Sequence, residues 1–274
     1  MPELPEVETA VRELRPAIVG RVLRGAWANV PRQLGTMTAK ELDRAVKGQT
    51  VESIKRRGKY IVLTLERGIL LVHLRMTGRL FVSATEKKPS AHLHAGFLLD
   101  DGSESLYFRD VRTLGTLRYH KIEAEIKELT ALGWEPLEVQ VTANELKPEL
   151  TKRIQAIKVV LLDQTLWAGV GNIYASEACW VAEVDPRKSA KLLTHSQCDR
   201  ICQAVPEVLQ AALSRGGSTL RDFMSPEGNY GSYQKEFRVY DREGEECLRC
   251  GGVIKKIVQA QRSTYFCAKC QKKK

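Results

Sequence analysis

No stretch of about 18 apolar residues occurs in the 274-residue chain, so no membrane-spanning helix is expected. The opening Met1-Pro2-Glu3-Leu4-Pro5-Glu6 lacks both the basic start and the apolar core of a secretory signal, so the chain is expected to stay in a reducing cytosol. In that compartment the seven cysteines are expected as metal ligands or buried thiols, not as a disulfide framework. Internal repeats are missing, and the only low-complexity run is Lys272-Lys273-Lys274. Acidic residues are also in short supply. Thirty-three Asp and Glu stand against 43 Lys and Arg, a formal net charge of +10. That excess points to a polyanionic partner, nucleic acid foremost. Hydrophobic residues at 43% and a chain of this length suffice for a sizeable core without staples.

The apolar pattern changes along the chain. Val7, Val11, Leu14 and Ile18 recur at helical spacing, with Pro5 in the first turn and Gly20 as the stop. From about Val22 to Leu132 the runs become short and β-rich. Examples are Tyr60-Ile61-Val62-Leu63-Thr64-Leu65, Ile69 to Leu74, and Gly115 to Tyr119, separated by turn signals such as Arg67-Gly68 and Asp100-Asp101-Gly102. This predicts a sandwich or barrel. Gly133-Trp134-Glu135-Pro136-Leu137 breaks the pattern and reads as the start of a linker. Helices are then predicted over Ile154–Leu166, Asn172–Val184 and Ser196–Arg215, the last ended by Gly216-Gly217, and a loop over Ser225–Ser232.

Cys247-x2-Cys250 and Cys267-x2-Cys270, separated by 16 residues, have the spacing of a tetrahedral structural zinc site. Four thiolates leave the ion no open position. Cys179, Cys198 and Cys202 fall in helical segments and read as buried hydrophobes. Between the knuckles lies Gln261-Arg262-Ser263-Thr264-Tyr265, a hairpin tip suited to a phosphate. Residues 235–274 hold 11 Lys and Arg against 5 Asp and Glu, so +6 of the excess is concentrated there.

The other end has a reactive group of its own. A small residue after the initiator Met usually permits Met removal, exposing the secondary amine of Pro2. A terminal amine has a pKa of about 7.7–8, so a useful fraction is neutral near pH 7. Such an amine attacks an aldehyde-level carbon to form an iminium. Glu3 and Glu6 beside it are suited to proton transfer.

Read together, these motifs resemble the bacterial formamidopyrimidine-DNA glycosylases, repair enzymes that excise oxidised purines and then cut the strand. The resemblance rests on Met1-Pro2-Glu3-Leu4-Pro5-Glu6-Val7-Glu8-Thr9, Arg56-Arg57-Gly58-Lys59-Tyr60, His73-Leu74-Arg75-Met76-Thr77-Gly78 and Leu132-Gly133-Trp134-Glu135-Pro136-Leu137. It continues through Leu161-Leu162-Asp163-Gln164, Gly169-Val170-Gly171-Asn172-Ile173-Tyr174-Ala175-Ser176-Glu177, Gly216-Gly217-Ser218-Thr219 and the zinc hairpin with Gln261-Arg262. It covers essentially the whole chain, in order.

The resemblance implies an α+β fold in which an N-terminal helix and β-sandwich domain (residues 2–133) is joined by a linker (134–150) to a helix–two-turn–helix domain (151–234). A zinc-finger β-hairpin (235–274) follows, and DNA lies between the halves. It implies that Pro2 is the nucleophile, Glu3 an acid assisting base release, Lys59 the proton donor in β-elimination and Arg262 that in δ-elimination. Glu6 matches a further acidic position near the reactive centre. His73, His92, Arg112, Arg153, Asn172 and Arg262 match positions that hold phosphates or the bound strand. Met76, Arg112 and Leu114 match those that fill the gap left by an extruded nucleotide. Ser218–Tyr233 matches the loop over the extruded base. The family often has Phe where this chain has Leu114, and a basic residue where it has Thr113. Weaker discrimination of the base opposite the lesion is therefore expected. One zinc ion, double-stranded DNA with oxidised bases or abasic sites, and a monomeric enzyme free of the membrane complete the expectation. The alternatives are an endonuclease VIII-type enzyme for oxidised pyrimidines, which more often opens Pro-Glu-Gly-Pro-Glu, a non-catalytic damage-binding protein, and a zinc-ribbon protein-interaction module.

Overall fold

In the computed structural model, residues 1–86, 91–218, 226 and 231–272 are described. They form two compact units, Met1–Thr130 with Gly216–Ser232, and Ala131–Arg215 with Tyr233–Lys274.

The first unit opens with helix α1 (Leu4–Ile18), whose buried face is Val7, Ala10, Val11, Leu14 and Ile18, as its spacing predicts. The helix begins in a capping box in which the Glu3 N–H donates to Glu6 Oε2 at 2.9 Å. Next come β1 (Val22–Ala28), two short helices, α2 (Pro31–Leu34) and α3 (Ala39–Val46), then β2 (Gln49–Arg57), β3 (Tyr60–Leu65), β4 (Gly68–His73), β5 (Gly78–Ala84), β6 (Leu93–Leu99), β7 (Glu104–Asp110) and β8 (Thr116–His120). The eight strands pair antiparallel in the order β5-β7-β6-β1-β2-β3-β4-β8.

The link at the middle is thin. Strands β1 and β2 share only the pairs Val22↔Thr50 and Leu23↔Gln49. Side chains from both four-stranded halves nevertheless meet in one core. Leu80, Phe97 and Phe108 from the first half join Ile54, Ile61, Leu63 and Val72 from the second, along with the apolar face of α1. Of the sandwich or barrel that the short β-rich runs predict, this is the sandwich.

The second unit begins with a one-turn helix's successor, the chain at Ala131, and differs from expectation in two places. The segment read as a linker contains helix α5 (Ala143–Thr151), numbered after the single turn α4 (Lys127–Thr130). A capping box between Thr142 and Glu145 starts it, and Ala143, Leu146 and Leu150 bury its apolar face. The helix predicted over Ile154–Leu166 shrinks to α6 (Ile157–Val160). Asp163 turns the chain there by accepting from the Thr165 N–H at 2.9 Å and its hydroxyl at 2.8 Å. The other two helices are present as α7 (Asn172–Val181) and α8 (His195–Ser214). The C-terminal strands β9 (Ile254–Gln259) and β10 (Arg262–Cys267) form a two-stranded hairpin. Among the described residues no helix is long and apolar enough to cross a membrane.

Candidate functional site

In the first unit the start of α1 is a buried cluster of acid and turn residues. Pro2 is buried, Glu3 is 4% exposed and Glu6 2%. Glu6 Oε1 accepts from the Ser218 N–H at 2.7 Å and from its hydroxyl at 3.0 Å. This approach requires glycine beside it. Gly217 has φ 81°, and a Cβ there would lie 2.8 Å from Glu6 Oε1. Sequence reasoning placed Glu6 near the reactive centre but did not foresee Ser218 as its partner. The remaining covering-loop residues, apart from Pro226 and Gly231–Tyr233, lie outside the described residues.

Lys59 occupies the two-residue turn Gly58-Lys59 between β2 and β3, where Arg57 pairs with Tyr60. It is 7% exposed. Arg56 fixes this turn. Its guanidinium donates to Gly58 O at 3.2 Å and to Glu8 Oε2 at 3.1 Å, tying the hairpin to α1. His73 stands opposite, at the end of β4 and paired in register with Tyr60. Its Nδ1 accepts from the Arg75 N–H at 2.9 Å, and its ring meets Tyr60 edge-on at 4.7 Å. Burial, with Arg75 and Lys59 nearby, pushes the imidazole down to about 3, so His73 is neutral near pH 7.

Three turns at one end of the sheet gather Met76, His92, Arg112 and Leu114. Met76 is 40% exposed and Leu114 45%, too open for core residues. The Arg112 guanidinium lies 2.9 Å from Met76 Sδ. Behind them is Asp110, fully buried, which sequence reasoning missed. One carboxylate oxygen accepts from Thr77 Oγ1 and from the Arg112 N–H at 3.2 Å. The other accepts from the Gly115 N–H at 2.7 Å and Gln33 Nε2 at 3.3 Å. Its backbone N–H donates to His92 O at 3.0 Å. Asp110 therefore joins the turns of all four predicted contacts. Val111 in the same turn is 53% exposed.

In the second unit the hairpin tip Ala260-Gln261 has φ 44° and 59°. Positive values at both central residues match the right-handed strand twist but strain these side-chain-bearing residues. Of eight non-glycine residues with positive φ among the described residues, five (Arg75, His92, Thr113, Ala260 and Gln261) sit at or close to predicted contacts. Arg262 follows the tip and is exposed. Asn172, at the first turn of α7, does not leave its amide open to a ligand. Its Nδ2 donates to Ser263 O at 3.0 Å and to the Tyr240 hydroxyl at 3.3 Å, while Lys158 Nζ donates to its Oδ1. Asn172 and Arg262 are thus brought together through Ser263. Lys158, fully buried and bonded also to Ser263 O at 3.3 Å, was missed, although a charge inside Ile157-Lys158-Val159-Val160 is its mark. Arg153 instead pairs with Asp163 at 3.2 Å.

Glu177, fully buried on α7, accepts from the backbone N–H groups of Arg238, Val239 and Tyr240 at 3.0, 2.9 and 2.8 Å. Burial raises its carboxyl above the usual range, against the pull of those three donors.

The sulfurs of Cys247, Cys250, Cys267 and Cys270 all lie within 4.8 Å of one another. The pairs Cys247–Cys270 and Cys250–Cys267 stand at 3.8 and 3.5 Å. A tetrahedral ion with Zn–S bonds of about 2.3 Å separates its ligands by about 3.8 Å, so the cluster fits one structural zinc. The other cysteines are buried, and burial pushes the Cys179 and Cys202 thiols up to about 12, which makes them inert.

Three family models match the chain: the formamidopyrimidine-DNA glycosylase N-terminal domain over residues 1–117, the formamidopyrimidine-DNA glycosylase H2TH domain over 132–224, and a zinc finger found in FPG and IleRS over 244–273. A formamidopyrimidine-DNA glycosylase from Chloroflexus aurantiacus is 42% identical over 99% of this chain and 98% of its own length. The solved complex of a Lactococcus lactis FPG mutant with a Fapy-dG containing DNA superposes with a TM-score of 0.91 at 34% identity, covering 99% of this chain and 100% of that one. A MutM structure in complex with carbocyclic 8-oxo-G containing DNA gives 0.90 at 35% identity, covering 99% and 100%. Full-length likeness at this level, on a fold with a buried acidic start and a four-cysteine hairpin, identifies the chain as a member of the formamidopyrimidine-DNA glycosylase family.

Proposed function

We propose that this chain is a bifunctional DNA-repair enzyme. It excises oxidised purines, 8-oxoguanine and formamidopyrimidines, from duplex DNA and cleaves the resulting abasic site by β,δ-elimination. The observation that carries the reading is the start of α1, where Pro2 precedes two carboxylates, Glu3 and Glu6, each more than nine-tenths buried.

After removal of Met1, the Pro2 amine attacks C1′ of the extruded nucleotide. The C1′–base bond breaks as the N–C1′ bond forms; of the two protons taken up by the departing base and the ring oxygen O4′, Glu3 supplies one and the nitrogen of Pro2 releases the other as the ring opens to the iminium. The resulting iminium acidifies C2′, so the 3′ phosphate departs in β-elimination with Lys59 as proton donor. Arg262 serves the following δ-elimination, which releases the 5′ phosphate and leaves a one-nucleotide gap. Glu6 holds Ser218 and the Glu3 backbone in place. Met76, Arg112 and Leu114 fill the vacated stack, and Arg112, His92, His73, Arg153, Asn172 and Arg262 serve the bound strand. For His73 the support is position and a neutral ring, and for Asn172 it is control of the hairpin through Ser263. Zinc, when bound, cross-links the two knuckles and has no part in the chemistry. The enzyme acts as a single chain in the cytoplasm.

Incubation with duplexes carrying single oxidised bases tests the reading. Release of oxidised purine with both 3′- and 5′-phosphate ends supports it. Preferential release of oxidised pyrimidines, or tight binding without cleavage, contradicts it.

A further inference from the structure

We propose that Trp180 is a positioning residue of the zinc site, its indole N–H donating to the Cys247 thiolate and setting how long the knuckles retain their ion. Trp180 lies in the last turn of α7, outside the four-cysteine set, with Nε1 3.4 Å from Cys247 Sγ. The residue is 7% exposed and packs with Cys247, Cys267, Ile254 and Tyr265. Its orientation is fixed from above. The Arg249 guanidinium sits 3.9 Å over the ring and donates to the Trp180 carbonyl at 3.1 Å.

The chemistry follows from charge. Four thiolates around Zn²⁺ leave a net charge of −2, and a donor aimed at one sulfur offsets part of it. An indole N–H suits this place because it donates only and cannot compete as a ligand. The same bond joins the metal site to α7. A second tie runs through buried Gln271, which accepts from the Cys267 N–H at 2.8 Å and donates to Val184 O at 3.0 Å just beyond α7. At the opposite end of α7, Asn172 holds Ser263 of the hairpin. The helix is therefore anchored to the hairpin at both ends, and Trp180 is the anchor that touches the metal ligand.

The test uses the full-length zinc-loaded protein and a chromogenic chelator in excess. Trp180→Phe keeps an aromatic ring but removes the donor. It is expected to start with one bound zinc and to release it about 10- to 100-fold faster than the unsubstituted protein, the usual cost of losing an outer-shell partner. Release at the unsubstituted rate overturns the proposal. Should the variant fail to load zinc at all, the unsubstituted protein decides: after exchange into ¹¹³Cd, the Trp180 indole proton is expected to show scalar coupling to the metal through the N–H···S bond. A Trp180 signal without that coupling also overturns it.

Discussion

In the first unit the exposed residues proposed as DNA contacts are held by strand register and a buried carboxylate; in the second, the residues proposed for that role hang from one helix and a hairpin closed by cysteines. Met76, His92, Arg112 and Leu114 come from three turns far apart in sequence, and Asp110 collects them with side-chain and backbone bonds. Their placement is as robust as the sandwich itself. Asn172 and Arg262 instead depend on Lys158, which joins Asn172 to Ser263 of β10, on Glu177, which ties α7 to the backbone of residues 238–240, and on the knuckles. That arrangement is local and needs its ion. A sheet can hold a site by topology alone, whereas 40 residues of small hairpin cannot bury enough surface to do so.

Zinc removal is expected to have the largest effect. Structural zinc in isolated fingers contributes on the order of 10 kcal/mol. Cys247→Ser is expected to abolish zinc retention and to melt the hairpin. Three of the four tryptophans, Trp134, Trp167 and Trp180, lie in the second unit, so fluorescence follows it, while amide exchange in β2–β4 stays slow. DNA affinity should fall steeply; near-normal binding by this variant contradicts the comparison.

Glu177→Ala comes next. It strands three backbone donors and is expected to cost about 3 kcal/mol in urea unfolding. Glu177→Gln, which keeps an acceptor, should cost clearly less. Asp110→Ala is expected to cost about 2 kcal/mol and to weaken binding to an abasic duplex beyond that loss. If stability falls while abasic-site binding is untouched, Asp110 does not organise the contact turns.

A smaller effect belongs to His73. Its folded pKa, about 3, lies below the unfolded value of about 6.5, so between these the unfolded chain binds the proton and the native state does not. Stability therefore falls as pH drops from 6.5 toward 3, by at most about 1.4 kcal/mol per pH unit from this group. His73→Gln should flatten that slope in denaturation curves at pH 5 and 7. Leu114→Phe is the mildest change. It is expected to leave stability nearly unaltered and to sharpen the ratio of excision rates opposite cytosine and adenine; equal ratios in the two proteins contradict the role given to this side chain.

Much of this architecture is legible in the residues. The face of α1 follows from Val7, Val11, Leu14 and Ile18, and the knuckles from cysteine spacing, because both are local patterns. The capping box of Thr142 and Glu145 is an equally local pattern, but it opens a helix of only nine residues just beyond the break at Gly133–Pro136. Asp110 and Ser218 escaped because their meaning is not local. Asp110 reads as a turn residue until β7 is paired with β5, and Ser218 reaches Glu6 across 212 positions of sequence. Asn172 shows the reverse limit. Its place at a helix start is correct, but its amide turns inward to the hairpin.

In the proposed mechanism catalysis runs through the amine of Pro2. Borohydride added during reaction with a duplex containing 8-oxoguanine, followed by mass spectrometry of the digested adduct, tests it most directly. The expected adduct is a chain lacking Met1 and cross-linked to the sugar through the nitrogen of Pro2. An adduct on a lysine instead, or active enzyme that still carries Met1, contradicts it.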